Sequence, residues 1–397
     1  MRKPVYISGA GVISAIGVGK DETLSALLEK RSGVGSMKYL TSKHVEIPVG
    51  EVKRSNAELM QMVGIKENRL TSRTVLMGIV ALREALSEAN LKSEDISSVH
   101  LVSSTIVGGM DRRELFFENE SNCDREHAAA AIHNCGTSTE EIAGYFGSFA
   151  SLSTVSTACS SATNAIISAA FMIESNLADI VVAGGAECLS LFHLNGFNSL
   201  MILDSHPCRP FDKERAGLNL GEGAAYLVLE SESSLKRRGV KPLCRLAGYG
   251  NACDAFHQTA SSPTGEGAFL AMQKALEKAH LTPKDIDYIN AHGTATQNND
   301  ESESCAIKRL FKERIPEVSS TKSYTGHTTG ASGAIEAVIS LLALENQFLP
   351  ASLNWKTPME EGIIPVTDIH PKSEIKNIMS NAFGFGGNDS SIILSKV

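Results

Sequence analysis

The sequence predicts an α/β protein made of two halves that follow one βαβα plan. Three observations carry this. First, Ala81–Leu91, continuing to Asp95-Ile96, aligns without gaps on Ala271–Leu281, continuing to Asp285-Ile286, with seven identities (Ala81, Ala85, Leu86, Ala89, Leu91, Asp95 and Ile96). Second, the opening strand Tyr6-Ile7-Ser8-Gly9-Ala10-Gly11 has an echo in Arg245-Leu246-Ala247-Gly248-Tyr249-Gly250. Third, a strand, a reactive side chain and a helix of small residues recur in that order around Cys159 and around His327. Strand, helix and turn matching in the same order point to a duplicated architecture.

Taken in order, Val5–Ile13 reads as a buried strand running into a glycine turn. It is not a dinucleotide fingerprint, because Ser14 stands where GxGxxG needs its third glycine. A helix begins near Asp21 and ends near Gly33, residues 35–70 are irregular, Thr74–Ala89 is helical, and Val99–Val102 is a strand. Residues 108–148 read as a partly helical excursion. Phe149–Val155 leads as a short strand into Cys159, and Ala162, Ala165, Ile166, Ala169 and Ala170 follow at helical spacing. Ile180–Glu187 and Gly221–Glu230 are buried strands. Asn381–Asp389 is a flexible glycine-rich run before a final strand, Ser390–Leu394. The junction falls near Arg237–Pro242, giving an N-terminal half of 1–240 and a C-terminal half of 241–397.

Composition narrows the class. A formal net charge of -8 without a basic tract argues against nucleic acid as the main partner. The eight scattered cysteines show no CxxC pair or zinc spacing and read as reduced thiols, which predicts a cytoplasmic protein. Gly9 and Gly11 break the only early apolar run, so no signal peptide is expected, and Glu336 and Glu345 disqualify the late apolar segment as a membrane span.

Cys159 sits at a strand-to-helix junction, where unpaired N–H groups and the macrodipole favour a thiolate. In the second half, Tyr288–Ala291 ends in a loop built on His292, and Ser319–Gly330 carries Lys322 and His327 ahead of the small-residue helix Ala331–Leu344 with Glu336. If the halves are related by a pseudo-twofold, His327 stands at the pseudo-equivalent of Cys159. One cysteine with two histidines permits two chemistries. A papain-like site would use one histidine as base and finish with water. A condensing site would use two imidazole N–H groups to hold a thioester carbonyl while an enolate forms. The remaining histidines, His44, His100, His127, His133, His193, His206, His257, His280 and His370, read as structural.

Thr157-Ala158-Cys159-Ser160-Ser161, Asn290-Ala291-His292-Gly293-Thr294 and Lys322-Ser323-Tyr324-Thr325-Gly326-His327 resemble the three active-site blocks of β-ketoacyl-acyl carrier protein synthases of the KAS I/KAS II type. Arg209-Pro210-Phe211-Asp212, Gly221-Glu222-Gly223-Ala224 and Asn381–Gly387 resemble further blocks of that family, in the same order along essentially the whole chain. The resemblance implies a thiolase fold, two pseudo-twofold-related βαβαβαββ halves in five αβαβα layers, working as a homodimer. It implies that Cys159 takes an acyl chain from acyl carrier protein and that His292 and His327 hold the malonyl thioester during decarboxylation. The Cys159 and Phe385 amides would form the oxyanion hole. Lys322 would hydrogen-bond within the His327 network, braced by Glu336. Thr294 and Thr296 would touch the phosphopantetheine arm, and Phe383 and Phe385 would gate the pocket. Neither a metal nor a soluble cofactor is needed. Lys66, Arg69, Arg209 and Lys213 are candidates for docking the acidic carrier protein, each equally readable as a solvated face or an internal ion pair.

Two departures stand out. Asn388-Asp389 replaces the family's Thr-Asn after Phe-Gly-Gly, adding a carboxylate near the gating loop, and Thr328 replaces an aliphatic residue after the second histidine. They point to a more polar or rigid chain, such as a polyene or aryl-primed intermediate, and to a specialised polyketide or aryl-polyene ketosynthase in a heterodimer as the alternative. A chain-length-factor partner, which lacks the nucleophile, is the lesser alternative.

Overall fold

The computed structural model describes residues 3–66, 71–117, 134–371 and 374–397. Its strands are β1 (Val5–Ser14), β2 (Gly17–Val18), β3 (His100–Ser104), β4 (Ser151–Val155), β5 (Ile180–Glu187), β6 (Gly223–Ser231), β7 (Cys244–Cys253), β8 (Tyr288–Asn290), β9 (Glu317–Ser319), β10 (Phe348–Leu349), β11 (His370–Pro371), β12 (Asn377–Gly384) and β13 (Asn388–Ser395). Ten of them run in the order β4-β3-β5-β6-β1-β7-β13-β12-β8-β9. The order is symmetric about the β1–β7 contact, and so are the directions. β3 lies parallel to β4 and β5, as β8 does to β9 and β12, while the remaining pairs on that path are antiparallel. Strand pairing between the two five-stranded halves runs through Val5–Ile7 and Cys244–Leu246.

Alternation along the strands builds the layers. In β6, Ala225, Leu227 and Leu229 face a central core, and Ala224, Tyr226 and Val228 face an outer one. In β13, Ile392 and Leu394 face the central core while Ile393 faces the opposite outer one. The central core is filled by the helices Ser161–Glu174 and Ser332–Asn346. The Arg73–Glu88 helix covers one sheet half, and the Glu266–Ala279 and Gln297–Phe311 helices cover the other. The result is five layers, αβαβα.

The internal repeat has a steric cause. A Cβ on Gly9 would lie 2.4 Å from the Ala85 carbonyl oxygen, and one on Gly248 would lie 2.2 Å from that of Ala275. The next pair behaves alike, with Gly11 and Gly250 each 2.1 Å from the carbonyls of Ala81 and Ala271. Strand backbone meets helix backbone directly in both halves. Glycine on the strand and alanine on the helix are what allow it.

Two regions differ from the sequence reading. The stretch 35–70 contains a helix, Asn56–Val63, started by a capping box between Ser55 and Glu58. The run from Asn381 is strand β12 as far as Gly384, because Ala382 is fully buried and Phe383 packs into the outer core. Only Phe385–Gly387 turns.

Candidate active site

Cys159 lies two residues before the Ser161–Glu174 helix, with Ala158 held at φ +53° and Ser161 Oγ accepting the Thr157 N–H at 2.8 Å. Its sulfur faces His327 Nε2 at 3.0 Å. The expected low thiol pKa does not hold in the resting protein. Complete burial pushes Cys159 up to about 11, against the pull of the Lys322 charge and of the Phe385 and Cys159 N–H groups directed at the sulfur. Desolvation of the thiolate outweighs the helix terminus here.

His292 and His327 meet edge to face, ring centroids 5.4 Å apart at 84°. Burial first, and then the nearby Lys322 charge, hold both rings well below the usual histidine range, so both are neutral at neutral pH. Lys322 does not join His327, as the sequence reading had it. Its Nζ lies 3.3 Å from His292 Nδ1, 2.5 Å from the His292 carbonyl oxygen and 2.5 Å from Glu336 Oε1. The residue heads the short Lys322–Thr325 helical turn, from which its side chain reaches toward β8. The ammonium at Nδ1 leaves the proton of the neutral His292 ring on Nε2. His327 Nδ1 has no hydrogen-bond partner among the described residues, so nothing there fixes its tautomer. The papain-like reading needs an Asn or Asp at that nitrogen and is not favoured.

The sulfur and both rings open onto a cavity of about 440 Å³. Thr294 and Thr296 line it with their hydroxyls 2.9 Å apart, and Phe383, Phe385 and Phe197 form its aromatic side. Phe383 packs beside His292 at 5.8 Å, and Phe385 stacks on Phe197 at 5.9 Å. Gly386 and Gly387 have φ of 82° and 77°, a turn suited to glycine. That turn is tied down by Gly386 N–H to the Gln258 carbonyl and by Asp254 N–H to the Gly387 carbonyl, each 2.8 Å.

Residues 2–234 match the β-ketoacyl synthase N-terminal domain, and residues 243–356 match the β-ketoacyl synthase C-terminal domain. The chain belongs to the β-ketoacyl synthase family. It is 32% identical to the 3-oxoacyl-[acyl-carrier-protein] synthase 2 of Staphylococcus aureus (strain N315), over 99% of this chain and 98% of that one. Among solved structures it superimposes on the ishigamide ketosynthase/chain length factor with a TM-score of 0.93 at 29% identity, covering all of both chains. A type II PKS acyl-carrier protein in complex with its ketosynthase bound to the hexaketide (AntDE:AntF) gives 0.87 at 26%, again over all of both chains.

Several features of this ketosynthase escaped the sequence reading. Glu303 is fully buried and accepts the His292 and Gly293 N–H groups at 2.9 and 2.8 Å, which fixes the His292 loop. Asn388 Oδ1 accepts from Ser160 Oγ (2.8 Å), Asn164 Nδ2 (2.7 Å) and Asn251 Nδ2 (3.0 Å), linking the helix after Cys159 to the Phe385–Gly387 turn. Neither Asn388, Asp389 nor Thr328 lines the cavity. The Asp389 carboxylate turns inward beside Gly267, and the Thr328 methyl lies beside Gly221. The two departures therefore do not alter the cavity wall directly.

Of the docking candidates, Lys66 is exposed after the Asn56–Val63 helix, and Arg69 lies outside the described residues. Half-buried Arg209 and exposed Lys213 precede Ala216 and Gly217 in the cavity wall. Among the described residues, Cys159, His292 and His327 are the one set whose sulfur and ring nitrogens, all within 4.8 Å, could hold an ion. The Lys322 ammonium beside His292 opposes a cation there. No described helix is long and apolar enough to cross a membrane.

Proposed function

We propose that this chain is the catalytic subunit of a 3-oxoacyl-[acyl-carrier-protein] synthase that elongates a thioester-bound acyl chain by two carbons. The observation that carries the reading is the convergence of one sulfur and two neutral imidazoles, one of them locked by Lys322, on one cavity.

Acylation starts with the thiol. Its proton passes to His327 Nε2 as Sγ attacks the carrier thioester, and then to the departing pantetheine sulfur. The free tautomer of His327 suits a ring that first accepts and later donates. With Cys159 acylated, His292 Nε2–H and His327 Nε2–H hold the malonyl thioester carbonyl. Carbon dioxide leaves, the enolate they stabilise attacks the acyl carbonyl, and the Cys159 and Phe385 N–H groups take the oxyanion. Its collapse breaks the C–S bond, expelling the Cys159 thiolate, which is reprotonated, and freeing the 3-oxoacyl chain on the carrier thioester. Preorganised donors of this kind contribute about 3 kcal/mol each. Thr294 and Thr296 contact the pantetheine arm, and Phe383 and Phe385 gate the chain.

The carrier protein docks near Lys213 and Arg209, with Lys66 and Arg69 as further candidates. The protein acts in the cytoplasm. The two units, 1–240 with the nucleophile and 241–397 with both histidines, meet at the site. A second subunit sits on the β4 edge, which ends the sheet with Leu152 40% exposed. At the other end, the Val366 N–H already reaches the Val318 carbonyl of β9. Homodimer and heterodimer both fit this edge. The likeness to ketosynthase/chain length factor structures favours the heterodimer as a second reading, with this chain as the subunit that keeps the cysteine.

The test is intact mass spectrometry after incubation with acyl-carrier proteins, alongside malonyl decarboxylation by Cys159→Gln. Wild type gains one acyl group on Cys159, and the variant still releases carbon dioxide but does not condense. Loss of both activities in a folded variant contradicts the roles given to the histidines.

A further inference from the structure

The structure holds a third buried histidine against the aromatic wall of the cavity, in contact with Phe197. His193 lies on the Leu191–Ser199 helix, is 4% exposed, and sits one turn before Phe197. Its ring meets the Phe197 ring edge-on at 6.4 Å, and Phe197 in turn stacks on Phe385 at the cavity wall. One ring nitrogen is engaged: Nδ1 lies 3.4 Å from Ser190 Oγ, and the ring bonds to the Cys188 backbone. Nε2 is buried and has no partner among the described residues. Burial lowers the ring to about 4, so it is neutral, and a neutral ring donating from Nδ1 presents Nε2 as a bare acceptor. Its helix neighbour Leu194 and Phe197 belong to an apolar cluster with Leu189 and Leu218. A buried acceptor in such a place costs stability until a donor reaches it.

We infer that His193 is a specificity-determining residue: when Phe197 and Phe385 swing aside, the acyl chain extends past Phe197 and His193 Nε2 accepts a hydrogen bond from a hydroxyl on it. The preferred substrates are hydroxyl-bearing acyl chains rather than plain alkyl ones. This rests on the ketosynthase reading above and adds the substrate class to it. A site that leaves an acceptor unpaired discriminates against the analogue lacking the donor.

The experiment compares acylation of Cys159 by alkyl and ω-hydroxyalkyl pantetheine thioesters of four to twelve carbons, as kcat/KM and by intact mass. At one or more lengths the hydroxyl chain is preferred about tenfold or more over the alkyl chain of equal length. His193→Leu brings that ratio close to one. His193→Gln, which keeps an acceptor, retains part of it. No preference at any length, or a preference that survives in His193→Leu, overturns the inference while leaving the ketosynthase reading intact. Failure of every thioester to acylate Cys159 overturns both.

Discussion

Gly333 and Thr163 mark the point where the two central helices touch: a Cβ on Gly333 would lie 2.0 Å from Thr163 Oγ1 and 3.0 Å from its backbone nitrogen. These residues occupy the first turns of the helices that follow His327 and Cys159. The 3.0 Å sulfur–imidazole contact depends on that close approach. Gly333→Ala is expected to part the two helix ends and lower condensation about a hundredfold, since displacements of about 1 Å at a reacting pair have that effect. The check is the condensation rate together with circular dichroism. A variant with wild-type rate would mean that the helices relax without moving the pair.

Lys322 and Glu336 form a buried ion pair with side chains 1% and 3% exposed. Lys322→Ala alone strands Glu336, and destabilisation of about 3–5 kcal/mol is expected. It also frees the His292 tautomer, so malonyl decarboxylation falls about 10²- to 10³-fold, the scale of losing one preorganised donor. The double variant Lys322→Ala/Glu336→Ala should regain much of the stability and none of the decarboxylation. Denaturant unfolding and carbon dioxide release separate the two effects.

Asp389 is buried, and burial first, then the charges of Asp254 and Glu303, push it up to about 8 from an ordinary value of 3.8. The folded state binds this proton more tightly than the unfolded chain does. Its contribution is therefore fully favourable below about pH 4, falls as pH rises toward 8, and is flat above. Asp389→Asn should change little at pH 4 and raise Tm by about 2–4 °C at pH 8. Thermal unfolding across that range reads it, and an equal shift at both ends would mean that the carboxyl is already ionised in the fold.

Glycines in this chain serve opposite ends. Gly248→Ala drives a methyl into the Ala275 carbonyl and should cost about 1–3 kcal/mol or more. Gly144 lies inside the Cys135–Phe146 helix, and among the described residues nothing comes within 4 Å of an added Cβ. Gly144→Ala should stabilise by about 0.5–1 kcal/mol. Paired unfolding curves decide both.

The sequence by itself determined the duplicated α/β plan, because Gly9, Gly11, Gly248 and Gly250 and the alanines opposite them answer a local need for backbone to meet backbone. It also singled out Cys159, His292 and His327, which the fold brings together at one cavity, because a cysteine and two histidines at strand ends and loop starts are short-range patterns. Tertiary structure decided what depends on burial and on partners far apart in the chain. Burial among segments distant in the chain pushes the Cys159 thiol up to about 11. Lys322 serves His292 rather than His327, Asp389 turns away from the cavity, and His193 packs on Phe197, because neighbours brought in from distant segments set where each side chain points. Spacing along a chain encodes the direction of a strand or a helix face, whereas desolvation and orientation belong to the packed whole.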